Sequence, residues 1–195
     1  MSFARSCSLT VSLLAFGLPA LALAHTGIGH GFMQGAAHPL GGMDHLLAMI
    51  AVGLLAGRSG GAALWQIPTG FIAMMACGTL AGMAAIPLPF IETGIALSIV
   101  VFGLMLTSNR NPSLWLTTLA VGFFALFHGH AHGTEAAGNI SGLAYAAGLL
   151  SVSTLLHACG ALAAVLLIRT HRAPALRLSG SVLAVAGVGI VAGLL

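Results

Sequence analysis

Charge is nearly missing from this chain of 195 residues: Asp, Glu, Lys and Arg together make up 5% of positions, against 58% hydrophobic residues. At a mean hydropathy of +1.07 too little polar surface remains to cover a core, which excludes a soluble globule and leaves an integral membrane protein. Cysteine is scarce as well. Cys7 lies near the N-terminus, and Cys77 and Cys159 fall inside apolar segments, where a thiol serves as a small packing residue, so no disulfide framework is indicated. The formal charge of +3 rests on arginines placed singly or in one short cluster between hydrophobic runs. That spacing forms no basic face, which excludes a nucleic-acid partner; the partner that the composition requires is membrane lipid.

The first 24 residues have the three parts of a secretory signal: Arg5 in a short leading region, an apolar stretch from Leu9 to Leu23, and Ala22-Leu23-Ala24 as a small-x-small cleavage site. The rival reading is an uncleaved first transmembrane helix. Residues 25–195 form one transmembrane helical domain in either case, and the segment after the leader starts on the outside. About 20 apolar residues cross a hydrocarbon core, and this length predicts six helices, at about 39–57, 66–86, 90–107, 113–130, 144–168 and 176–195. The fold class expected is thus an all-α polytopic bundle.

The orientation has independent support. With the mature N-terminus outside, the first, third and fifth connections face the cytoplasm and carry Arg58, Arg110, Arg169 and Arg172, with Arg177 just inside the sixth span. Every arginine after the leader is then on the cytoplasmic side, as the positive-inside rule asks. Gly53 and Gly57, and likewise Gly78 and Gly82, stand at the spacing that lets two helix backbones approach where lipid supplies no hydrophobic drive. Met74, Met75 and Met83 read as core filling.

Against this apolar background the polar residues stand out. All three acids and eight of the nine histidines map to the outer side or the interior; His171 alone sits among cytoplasmic arginines. His38 precedes Pro39 at the outer mouth of the first predicted span, and His45, seven residues on, falls on the same helical stripe. Asp44 is either a direct metal ligand, an acceptor that fixes an imidazole tautomer, or an anion near a helix N-terminus. At the outer end of the fourth span His128, His132 and Glu135 align at i, i+4, i+7 if the helix continues, with His130 pointing away; Gly129 and Gly133 could instead break the helix into a loop. Glu92 opens the third span as a ligand or as a favourable first-turn charge. His157 lies 12 residues from Arg169, roughly 18 Å into the bilayer, where a polar side chain is a functional candidate. His25 and His30 either capture a cation ahead of the membrane or are simply solvated.

Imidazoles with carboxylates and no thiolate favour a divalent transition-metal ion, Ni²⁺, Co²⁺, Zn²⁺ or Cu²⁺, over Mg²⁺ or Ca²⁺. Spacing alone does not choose among the four. The run His38-Pro39-x-x-Gly42-x-Asp44-His45-Leu46-Leu47-Ala48-Met49, with Phe127-His128-Gly129-His130-Ala131-His132-Gly133-x-Glu135, resembles the HupE/UreJ family of bacterial nickel permeases. The Glu92-Thr93-Gly94 start of the third span and His157 extend the likeness over essentially the whole chain after the leader. The resemblance implies secondary transport of Ni²⁺, with Co²⁺ as a second candidate substrate, across the inner membrane to supply hydrogenase or urease, with no prosthetic group. Rival classes are a membrane metallohydrolase with Asp44 or Glu135 as general base, a b-type haem protein, and a metal-binding accessory protein that does not transport.

Overall fold

The computed structural model describes residues 28–109, 112–136 and 142–195, with no side-chain description for 28–30. The leader, Cys7, His25 and Arg110 lie outside the described residues, as does the His30 side chain. The described residues form seven helices: α1 (Ile28–Gly41), α2 (Met43–Ser59), α3 (Ala63–Met83), α4 (Ile91–Thr107), α5 (Leu114–Ala136), α6 (Gly142–Arg169) and α7 (Ala173–Val191). No strand occurs among them, and the all-α expectation holds.

The six predicted spans correspond to α2 through α7, with one addition and one relocation. The addition is α1, a helix where the sequence suggested only an exposed lead-in. Pro39 therefore does not start a span: it lies in the last turn of α1, and the chain then turns by 84° at Gly42 into α2. Gly42 adopts an extended conformation there (φ −105°, ψ 122°) and its carbonyl accepts from Leu46 N, so the break is capped from within. α3, α5, α6 and α7 are each long and apolar enough to cross a bilayer, and α1 with α2 qualifies as one broken span. α4, at 17 residues, sits at the short end of what can span.

Helix pairing follows the small residues. α3 packs most extensively on α5, α4 on α7, and α6 on both α1 and α2. A Cβ on Gly78 or Gly82 would strike the α5 backbone at Leu126 O or His130 O, and one on Gly129 or Gly133 would strike α3 at Met75 O or Thr79 O. Two glycine pairs at four-residue spacing thus lock face to face, which no residue with a side chain allows. Gly53 and Gly57 bear in the same way on His157 O and Ala161 O of α6. Met75 is fully buried, and Met74 and Met83 pack against the core as expected.

Large apolar side chains cover the outside of the bundle, among them Trp115, Phe123, Leu155, Leu162 and Val185. Such a surface is stable only against lipid. Cys77 and Cys159 belong to it: both are exposed on outer helix faces rather than packed inside, a correction to the sequence reading. At one end Arg58 closes α2 against the C-terminus of α4, donating from Nη1 to Met105 O (2.6 Å) and Leu106 O (3.0 Å) and from Nη2 to Ser108 O (2.6 Å). Arg169, Arg172 and Arg177 lie at the end where α6 stops and α7 starts. The three acids lie at the opposite end.

Candidate metal centre

The glycine lock of α5 decides where its histidines point. With Gly129 and Gly133 pressed on α3, His128 and His132, one position earlier, are rotated about 100° into the bundle, and His130 is rotated the other way. The helix runs unbroken through Ala136, so the aligned arrangement holds and the broken-loop alternative does not. His128 and His132 are buried (0% and 1% exposed). His130 Nε2 instead donates to Ile86 O in the α3–α4 connection at 2.6 Å, away from the other histidines.

At the mouth, His38 Nε2 lies 3.1 Å from Glu135 Oε2, and His132 Nδ1 lies 4.0 Å from the same oxygen, too long for a hydrogen bond. One donor atom from each of these three side chains falls within 4.8 Å of the others, a spacing that one ion could draw together. The phenol of Tyr145, on α6, donates to Glu135 Oε2 at 3.2 Å and holds the carboxylate over the site. His38 comes from the C-terminal turn of α1, where helix carbonyls favour a cation.

His45 follows one step inward. Its ring lies 4.6 Å from His132 and 5.0 Å from His128, centroid to centroid. His38 and His45 do not share a helical stripe, because the break at Gly42 separates them, yet the bend brings their rings to 6.1 Å. Asp44 Oδ1 accepts from His45 Nδ1 at 2.9 Å and from the His45 amide at 2.7 Å, the acceptor geometry among the roles open to it. His45 Nε2 is left buried with no partner among the described residues.

His128 has the same design with a different partner. Ser98 Oγ donates to Ile95 O (2.6 Å), so its contact with His128 Nε2 at 3.1 Å is one in which the imidazole N–H donates. The lone pair is then on Nδ1, which is also buried with no partner among the described residues. Beyond His128 stands the buried ring of Phe71, 5.7 Å from His128 and 5.0 Å from His157. Both nitrogens of His157 and the hydroxyl of Ser153, one turn before it on α6, are buried with no partner among the described residues. Ser151 and Thr154, in contrast, return their hydroxyls to carbonyls of their own helix.

A cavity of about 550 Å³ opens above the first group, lined by Gln34, His38, Asp44, His45, Glu92 and Glu135 among others. Glu92 is exposed in the first turn of α4 and shares this cavity without an ion pair to a histidine among the described residues. Among the predicted residues, the structure gathers His38, His45, His128, His132 and Glu135, sets Asp44 behind His45, leaves Glu92 on the rim and His157 deeper, and turns His130 aside. Tyr145, Ser98, Ser153 and Phe71 were missed. Tyr145 had a signal, being the one tyrosine in the chain; the others are single residues within apolar runs, which nothing in the sequence separates from packing.

The fold and the site together define a multi-pass helical membrane protein with a histidine–carboxylate centre at one end of its bundle. Residues 13–190 match the family model for HupE / UreJ protein. Protein HupE of Rhizobium leguminosarum bv. viciae is 37% identical over 186 residues, covering 95% of this chain and 97% of that protein. The chain belongs to the HupE/UreJ family. No solved structure matches it.

Proposed function

We propose that this protein is a permease that carries Ni²⁺, with Co²⁺ as a second substrate, inward across the bacterial inner membrane toward a nickel enzyme. The observation that carries the reading is the file of rings His38, His132, His45, His128, Phe71 and His157. Each ring lies within 4.6 to 5.7 Å of the next, and the file runs from an open cavity to a buried group. Imidazoles that are buried and unpartnered are costly in a membrane interior, and a cation passing between them supplies what they lack.

The residues divide the work. Glu135 and His38 meet the hydrated ion at the mouth, with Glu92 adding negative charge to the cavity, and His132 and His45 replace its water. His128 takes it to the level of Phe71, beyond which His157 and Ser153 receive it. The ligands are neutral imidazoles and few carboxylates, so the ion is held loosely enough to leave, as transport demands. In this reading the ion is cargo, and the protein performs no bond chemistry on a substrate. The arginine end faces the cytoplasm by the positive-inside rule, which sets the mature N-terminus and the cavity in the periplasm, the leader of 1–24 serving as signal peptide.

The test is ⁶³Ni²⁺ uptake into proteoliposomes bearing the wild type, Asp44→Ala, His45→Ala or His132→Ala, with ⁵⁷Co²⁺ as competitor. Uptake should be lost in all three variants, each recovered as folded protein. Wild-type rates in those variants would reject the route.

A further inference from the structure

The arginine end of the bundle carries a polar feature that ion passage does not use. A cavity of about 220 Å³ opens there, lined by Arg58, Arg177, Asn109 and Ala173 together with the apolar Ile168 and Leu176. Arg58 is fixed in place by its bonds to three carbonyls at the end of α4. Arg177, one turn inside α7, is exposed.

Two guanidinium groups in the wall of one small cavity repel each other, and a carboxylate is the usual remedy. None is at hand. Asp44, Glu92 and Glu135 are the only acids in the chain and all line the cavity at the other end. Every ion pair among the described residues joins a histidine to a carboxylate there. Ala173 is also the first residue of the 19-residue α7, whose amide end adds positive potential to the cavity. Two cations and a helix N-terminus converge on one space, and what completes it is an anion.

Position narrows the kind of anion. The cavity lies where α6 ends and α7 begins, at the boundary of two long apolar helices. From Arg177 an exposed stripe of Leu178, Val182 and Val185 runs along α7 at helical spacing, a surface for an acyl chain. Basic pockets between transmembrane helices on the cytoplasmic side hold anionic headgroups in this way. We propose that this cavity binds the phosphate of an anionic phospholipid, with Arg177 as the donor, the fixed charge of Arg58 beside it and the acyl chain along the α7 stripe.

The test uses the full-length protein in neutral detergent, with lipid binding read by native mass spectrometry and thermal unfolding. Phosphatidylglycerol, phosphatidylcholine and inorganic phosphate are each added to wild type, Arg177→Gln and Arg177→Lys. Arg177 is exposed, so equal unfolding temperatures without lipid should show that the variants fold. Phosphatidylglycerol should bind and raise the unfolding temperature where phosphatidylcholine does not. Arg177→Gln should weaken its binding about five-fold, and Arg177→Lys should retain most of it. Equal binding by wild type and Arg177→Gln overturns the site. Stabilisation by inorganic phosphate but not by phosphatidylglycerol overturns the lipid assignment. Nickel uptake plays no part in these readouts, so the site stands or falls apart from the cargo.

Discussion

Asp44 and His45 are chain neighbours whose side chains close on each other, Oδ1 to Nδ1 at 2.9 Å, at the first turn after an 84° break in the helix. The carboxylate accepts, so Nδ1 carries the proton and Nε2 is the lone pair offered to the site. Asp44→Asn keeps the volume but no longer favours that tautomer. Nickel binding by isothermal titration should weaken about 10- to 100-fold, with the fold unchanged by circular dichroism. An unaltered affinity would mean that Asp44 serves the helix terminus alone.

Ser98 does for His128 what Asp44 does for His45, though it is 30 residues away in sequence and on another helix. Removing the hydroxyl leaves a buried N–H without an acceptor, which costs about 1–3 kcal/mol if the ring stays put. Ser98→Ala should therefore cut uptake several-fold, and Ser98→Thr should restore it. A purely structural role would show instead as a lower unfolding temperature at constant uptake per folded molecule.

The contrast between these two pairs explains what the sequence could disclose. Asp44 and His45 are adjacent, and His128, His132 and Glu135 share one helical face, so local periodicity exposes them. The apolar runs likewise mark six of the seven helices. Ser98, Tyr145 and Phe71 join the site through helix packing alone, and a single hydroxyl in an apolar run has no local mark. The missed α1 has a different cause: Gly31, Gly35 and Gly41 depress helix propensity, while tertiary packing of Gly35 on Tyr145 O and of Phe32 O under Gly148 holds the helix to α6. The Gly42 break was hidden because His38 and His45 are seven apart, a spacing that also suits one continuous helix.

Gly129 tests whether the glycine lock sets the histidines. A Cβ there meets Met75 O, which is backbone and cannot step aside. Gly129→Ala should separate α3 from α5 at a cost of about 1–3 kcal/mol, read as a fall in unfolding temperature in detergent. Gly129→Leu should give little folded protein. Gly41→Ala is the control, since a Cβ at Gly41 meets nothing.

Proton competition gives uptake a pH dependence of definite sign. Only a neutral imidazole offers a lone pair to a metal ion. As pH falls, protons compete with the ion for the lone pairs of the histidines at the mouth. Initial rates of ⁶³Ni²⁺ uptake at fixed membrane potential should decline from pH 7.5 to 5.5, and excess nickel should recover part of the loss. A rate that rises on acidification would point to proton-driven exchange outweighing competition.

His157 separates capture from passage. It lies beyond Phe71, buried at 1% exposure, with both ring nitrogens unpartnered among the described residues, and its ring contact is with Phe71 rather than with the group at the mouth. If the mouth captures the ion and His157 receives it, His157→Leu should leave nickel binding at equilibrium within about two-fold of wild type, because ligands that are not shared do not couple strongly. The same variant should lose nearly all flux into proteoliposomes, because the file then ends at an apolar wall. His132→Ala should lose both. Loss of binding in His157→Leu, in a protein that unfolds at the wild-type temperature, would place His157 in the capture site and make the two levels one.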